Sequence, residues 1–108
     1  MIHYYNAAMA ENAWMREEEA AFLADLHSVF AGPTYEVLTD IAKAIGLEYF
    51  GIDCALGADG RILVFEADPA MLVHNSDPIE LYPYKHRFIP NIYRAVERMV
   101  DRRKAADT

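Results

Sequence analysis

The segment EYFGIDCALGADGRILVFEAD, residues 48–68, constrains the fold more than any other part of the chain. Asp59-Gly60 separates two apolar runs, and this dipeptide favours a two-residue hairpin turn because both central positions require positive φ. Ala58 would then lie opposite Arg61, so that the numbers of paired residues sum to 119. The sequence therefore predicts an antiparallel β-hairpin, whose register a β-bulge could shift.

The predicted register places three carboxylates on one face of the hairpin. Asp53 lies directly opposite Glu66, and Gly51 lies opposite Asp68. Because side chains alternate with period two, a four-residue loop would keep the same three carboxylates together. The other face is apolar and consists of Phe50, Ile52, Cys54, Leu56, Leu63, Phe65, Ala67 and Pro69.

Carboxylates paired across two strands need a compensating charge. Directly opposed side chains lie about 5 Å apart, and like charges at that distance destabilise a sheet. A hard cation such as Mg²⁺ suits two or three carboxylate ligands. A salt bridge from Arg61, Lys85 or Arg87 is the alternative. The residues alone leave both possibilities open.

Three other segments have the pattern of helices. Residues 11–25 are rich in Ala, Glu, Met and Leu, and the acidic run 17–19 is expected to face solvent. Residues 33–45 carry one apolar stripe that ends at Gly46, a suitable C-terminal cap. A last helix is predicted from about Ile89 to Lys104, with Pro90 near its start.

These elements predict an α+β fold. An antiparallel sheet is built around the hairpin at about 48–68, and helices pack on its apolar face. Residues 1–5, MIHYY, favour a short strand that would extend the sheet. A chain of 108 residues has room for one domain, and we expect that domain to span residues 1–108.

The distribution of charge argues against several classes of partner. Residues 1–80 hold 14 acidic and 3 basic side chains, whereas residues 81–108 hold 3 acidic and 7 basic ones. An acidic body repels phosphate backbones, so we expect no nucleic-acid partner, although YPYKHR at 82–87 mixes tyrosines with basic residues. No apolar run is long enough to span a membrane, and the lone Cys54 suits a reducing compartment. We therefore expect a cytoplasmic protein without a membrane partner.

Three motifs follow one another along the hairpin: GLEYFGID at 46–53, DGR at 59–61 and VFEADP at 64–69. Together they resemble the C-terminal lobe of the ATP-grasp superfamily. Three flanking motifs, HYY at 3–5, MAEN at 9–12 and MLVH at 71–74, resemble more narrowly the ATP-grasp region attached to tetratricopeptide-repeat proteins. The resemblance covers nearly the whole chain.

The resemblance implies a metal site on the hairpin. ATP-grasp enzymes hold the Mg²⁺ ions of ATP with an Asp on one strand and a Glu and an Asn, two residues apart, on the next. Asp53 and Glu66 match the first two positions, and Asp68 stands where the family has Asn. Mg²⁺, or Mn²⁺, is the implied cofactor, and His74, in a loop after the hairpin, is a candidate nucleotide contact. No residue is assigned to catalysis.

The resemblance also implies an incomplete enzyme. The chain has no counterpart of the lobe that carries the glycine-rich loop and the phosphate-binding lysines of ATP-grasp enzymes. We therefore expect the Mg-ATP-contacting C-terminal portion of a carboxylate–amine ligase, a natural remnant or a piece of a longer protein that is inactive alone. The alternative is a non-catalytic interaction or structural module derived from that lobe. The expected partner is either a second copy of the chain or the missing N-terminal lobe.

Overall fold

The computed structural model describes residues 8–107, which form an α+β chain. In chain order the elements are α1 (Ala13–Ala24), α2 (Leu26–Val29), α3 (Pro33–Ile45), β1 (Gly51–Leu56), β2 (Ile62–Asp68) and α4 (Pro83–Ala106). The chain divides into two compact units: Met1–Leu26 with Val73–Thr108, and His27–Leu72. The α+β class is confirmed. The predicted strand at residues 1–5 lies outside the described residues, and the single domain over residues 1–108 stays a prediction.

Helix α3 has the predicted bounds. Pro33 occupies its first turn, where the missing N–H has no helical partner in any case. At its C-terminal end, Gly46 has a φ of 71° and donates its N–H to Ala42 O at 3.0 Å. Within the same unit, the Thr34 hydroxyl donates to Gly60 O at 2.9 Å and so ties the start of α3 to the hairpin loop.

The hairpin loop has three residues, so the predicted two-residue loop is wrong. Gly57 donates its N–H to Arg61 O at 2.8 Å, which makes these two residues the closing pair around residues 58–60. Gly60 has a φ of 83°, as the last residue of a three-residue loop requires. The added loop residue shifts the pairing beside the loop by one position, and Leu56 lies opposite Ile62 instead of Leu63.

A β-bulge on β2 reverses this shift farther from the loop. Asp53 pairs with Glu66 whereas Cys54 pairs with Val64, so Phe65 is the extra residue. The predicted pairing of Cys54 with Phe65 is therefore wrong. The loop and the bulge each move the register by one residue, and their effects cancel at the carboxylates. The packing of helices on the apolar face of this hairpin stays a prediction.

In the other unit, helix α1 packs against helix α4. Among the described residues of this unit, Ile89, 2% exposed, and Tyr82, 8% exposed, are the buried apolar ones. Helix α4 begins at Pro83, six residues before the predicted start, and Pro90 lies inside it. Pro83 supplies the preferred first-turn proline, and Pro90 costs the helix one backbone hydrogen bond without ending it.

Within residues 8–107, no helix combines the length and the apolar composition needed to cross a bilayer.

Candidate metal centre

The centre of the candidate site is the cross-strand pair of Asp53 and Glu66. The structure confirms that these residues are register partners, Asp53 on β1 and Glu66 on β2, and both are exposed to solvent. Directly opposed side chains on one face of an antiparallel pair lie about 4.5–5.5 Å apart at their Cβ atoms. The two carboxylates can therefore reach a common ion, and they repel each other when no ion is present.

Asp68 lies two residues beyond Glu66 on the same strand, opposite Gly51. Residues two apart on a strand point to the same face and lie about 7 Å apart. Asp68 is half-buried, and its Oδ1 accepts the backbone N–H of Ala70 at 2.8 Å. This hydrogen bond occupies one carboxylate oxygen and leaves Oδ2 available at the edge of the pair.

The basic residues that could have neutralised the carboxylates have other partners. Arg61 pairs with Asp59, with 3.5 Å between Nε and Oδ2. Lys85 pairs with Asp77, and Arg87 stacks over the ring of Phe88 with 5.2 Å between its Cζ and the ring centroid. Among residues 8–107 no Lys or Arg forms an ion pair with the three hairpin carboxylates.

The described carboxylates do not form a closed cage of ligands. Within residues 8–107, no group of three or more His, Cys, Asp or Glu side chains is arranged to hold a metal ion. Mg²⁺ is usually bound by one or two carboxylates and keeps several waters, which then bridge to substrate phosphates. The pair of Asp53 and Glu66 fits that open kind of site, with Asp68 at its margin.

The candidate nucleotide contact, His74, belongs to the other unit. It is exposed, and its Nδ1 lies 3.0 Å from the hydroxyl of Ser76. Nε2 remains as the ring nitrogen that could donate to a phosphate oxygen. The assignment of His74 to nucleotide binding stays a prediction.

Cys54 follows Asp53 on β1 and is half-buried. Burial raises the pKa of its thiol, and the neighbouring carboxylate of Asp53 raises it further. The thiol is therefore protonated at neutral pH and a poor nucleophile or metal ligand. This agrees with the apolar character of the hairpin face on which it lies.

The sequence analysis missed a buried ionic cluster. Glu19 is 1% exposed, so the prediction that the run 17–19 mostly faces solvent does not hold for this residue. Its Oε1 accepts a hydrogen bond from the Tyr84 hydroxyl at 2.7 Å and lies 3.4 Å from Lys85 Nζ. Lys85 also donates to Asp77 at 2.8 Å and lies over the ring of Tyr82 at 4.5 Å. In the sequence, the only indication of this cluster was the segment YPYKHR at 82–87, which mixes tyrosines with basic residues. Its Tyr84 and Lys85 contact Glu19 of α1, which lies far from them in the sequence.

This cluster keeps its lysine charged. Burial alone lowers the pKa of Lys85, but the hydrogen bond to Asp77 and the charge of Glu19 outweigh burial, so the pKa is raised. The pKa of the Tyr84 hydroxyl is also raised, first by burial and then by its hydrogen bond to Glu19. Both groups are therefore protonated through the physiological range.

The raised pKa values predict loss of stability at alkaline pH. A group whose pKa is higher in the folded than in the unfolded state contributes stability below its unfolded pKa and loses it as pH rises towards the folded value. For Tyr84 the loss begins near its ordinary pKa of 10.0. Melting temperatures measured from pH 8 to pH 11 should fall more steeply for the unmodified chain than for Tyr84→Phe. Parallel curves for the two proteins would exclude this role of Tyr84.

In comparisons with known proteins, no family model matches the chain, and no curated protein or solved structure matches it significantly.

Proposed function

We propose that Asp53 and Glu66, assisted by Asp68, bind a divalent cation, Mg²⁺ or Mn²⁺. The observation that supports this most is the exposed, directly opposed pair of Asp53 and Glu66, which forms no ion pair with a Lys or Arg within residues 8–107. Two like charges in this position cost stability unless a cation lies between them. A cation with a partial water shell offsets the repulsion and presents positive charge to solvent.

Through this cation the chain contacts ATP as the C-terminal portion of an ATP-grasp carboxylate–amine ligase. Such enzymes activate a carboxylate as an acyl phosphate, and the cation would neutralise charge on the phosphates. His74 would donate a hydrogen bond to the nucleotide. The residues present supply metal ligands but no phosphate-binding glycine loop, so the isolated chain is expected to have no ligase activity. The support for this wider assignment is the motif resemblance around the three carboxylates.

Thermal unfolding with added cation tests the site. With a dissociation constant on the order of 1 mM and about 10 mM cation, binding stabilises the folded state by about 1.4 kcal/mol. For a chain of this length the melting temperature should rise by about 6 °C. Mg²⁺, Mn²⁺ and Ca²⁺ are compared at constant ionic strength. Asp40→Asn, which changes an exposed carboxylate on α3, is the matched control and should keep the full rise.

The Asp68→Asn variant distinguishes repulsion among the three carboxylates from binding of the cation. Asn restores the residue of the ATP-grasp motif, and its side-chain oxygen can still accept the N–H of Ala70. Removing one negative charge should raise the melting temperature of the cation-free protein slightly and reduce the rise that cation produces. If the cations leave the unmodified chain unchanged and Asp68→Asn destabilises it, Asp68 has a basic partner and there is no cation site.

A non-catalytic interaction module remains the second candidate. It is favoured by the exposure of large apolar side chains on the hairpin, where Leu63 is 61% exposed and Phe65 is 66% exposed. Apolar side chains in such positions often mark surfaces that bind another protein. This candidate predicts that melting temperature does not respond to divalent cations, so the same measurement distinguishes the two functions.

A further inference from the structure

Four residues at the open end of the hairpin form a rectangle on the face that carries the carboxylates. Gly51 pairs with Asp68, and Asp53 pairs with Glu66. Directly opposed Cβ positions lie about 5 Å apart, and residues two apart on a strand lie about 7 Å apart. Three corners of this rectangle therefore carry carboxylates, whereas Gly51 leaves the fourth corner without a side chain of its own.

The side chain of Met71 fills this fourth corner. A Cβ atom added at Gly51 would overlap Met71 Sδ and Cε and would lie 3.0 Å from Met71 Cβ. The thioether thus occupies the space that a side chain at position 51 would take. Because a side chain at position 51 would share the face of its partner Asp68, the sulfur lies on the carboxylate face.

The backbone at Gly51 does not itself require glycine. The glycines with positive φ among residues 8–107 are Gly32, Gly46 and Gly60, and Gly51 is not one of them. An alanine can therefore adopt the backbone of residue 51 without strain. Glycine is needed at this position to make room for the thioether of Met71.

Two hydrogen bonds hold the segment that carries Met71. Asp68 Oδ1 accepts the N–H of Ala70, and the Tyr49 hydroxyl donates to Met71 O. These contacts fix the turn that follows β2 and return residue 71 to the start of β1. Met71 and the three carboxylates belong to the same compact unit, His27–Leu72.

We propose that Met71 Sδ is the fourth ligand of the cation site on the hairpin, which therefore takes Mn²⁺ in preference to Mg²⁺ and binds the softer Cd²⁺ more tightly still. This inference rests on the proposed binding of a cation by Asp53, Glu66 and Asp68. The centre of a rectangle with these sides lies about 4 Å from each corner, so an ion above it is within reach of all four side chains. The unbranched side chain of methionine has three rotatable bonds and can adjust its sulfur to the ion.

A thioether changes which cations the site favours. Carboxylate oxygens suit Mg²⁺, Ca²⁺ and Mn²⁺, whereas a thioether is a soft ligand. Mg²⁺ requires a nearly ideal octahedron of oxygens and gives up its waters reluctantly. The sulfur therefore disfavours Mg²⁺ at this corner and favours ions that accept oxygen and sulfur ligands together.

The cation affinities of Met71→Leu test this assignment, because leucine keeps the apolar bulk and removes the sulfur. Dissociation constants for Cd²⁺, Mn²⁺ and Mg²⁺ are measured by calorimetric titration, and every protein carries Cys54→Ala so that no thiol binds Cd²⁺. We expect Met71→Leu to bind Cd²⁺ about tenfold more weakly and to keep its affinity for Mg²⁺. Gly51→Ala displaces the sulfur without changing any ligand and should cause the same loss. Met99→Leu, the same substitution on α4, is the control and should leave all three affinities unchanged.

The ε-methyl NMR signal of Met71 gives a second measurement on protein that retains this methionine. The signal is assigned by its loss in Met71→Leu, and Cd²⁺ bonded to Sδ should shift it more than Mg²⁺ does. If Met71→Leu weakens Cd²⁺ binding no more than Mg²⁺ binding, or if Cd²⁺ leaves the methyl signal in place, the thioether is not a ligand although the carboxylate site stands. If no cation binds to the unmodified chain, the proposed function fails and this inference fails with it.

Discussion

Replacing Lys85 with methionine is expected to lower the free energy of unfolding by about 3–5 kcal/mol. The side chain of Lys85 is 12% exposed and that of Glu19 is 2% exposed, and their charged atoms lie 3.4 Å apart. Without the ammonium group, the buried carboxylate of Glu19 loses the cation beside it, and the hydrogen bond from the Tyr84 hydroxyl does not replace that positive charge. The melting temperature should fall by about 15 °C.

Two further variants identify the cause of that loss. Lys43→Met changes an exposed lysine on α3 and should alter stability by less than about 0.5 kcal/mol. Adding Glu19→Gln to Lys85→Met removes the uncompensated charge and should recover part of the lost stability. If Lys85→Met unfolds at the same denaturant concentration as the unmodified chain, the cluster does not stabilise the fold.

Ile89→Ala is expected to have the second largest effect, a loss of about 3 kcal/mol. Ile89 is 2% exposed on α4, so the truncation removes buried methyl and methylene groups and leaves a cavity. The cost combines the lost transfer free energy of those groups with the incomplete collapse of the surrounding side chains. Urea denaturation monitored by circular dichroism measures the change in the free energy of unfolding.

Ile92→Ala is the matched control for this cavity. Ile92 lies three residues farther along the same helix and is 38% exposed. The same chemical truncation there should cost about 1 kcal/mol or less, because less apolar surface is lost and solvent fills the space. Equal losses for the two variants would show that the side chain of Ile89 is not packed in a core.

Features that depend on neighbouring residues could be predicted from the sequence. Helix α3 has the predicted bounds because its apolar stripe, its first-turn Pro33 and its terminal Gly46 all act over short distances. The pairing of Asp53 with Glu66 was also predicted, although for an incomplete reason. The loop is one residue longer than Asp59-Gly60 suggested, and the bulge on β2 compensates for it.

Features that depend on distant contacts could not be predicted in the same way. Nothing near Glu19 distinguishes it from Glu17 and Glu18, which are exposed; its burial comes from residues about 65 positions away, Tyr84 and Lys85. The start of α4 was predicted at about Ile89, with Pro90 in the first turn, because proline favours the first turn of a helix. The chain offers two such prolines, and the earlier one, Pro83, occupies that position.

Titration with Mn²⁺ under electron paramagnetic resonance tests the cation site most directly, because the signal of the aqueous ion decreases as the ion binds. We expect one Mn²⁺ per chain with a dissociation constant on the order of 1 mM. The double variant Asp53→Asn/Glu66→Gln should lose this binding. The double variant Glu36→Gln/Asp40→Asn, which removes two exposed carboxylates on α3, should retain it. Equal binding by the two double variants, or no binding by the unmodified chain, would contradict a metal site on the hairpin.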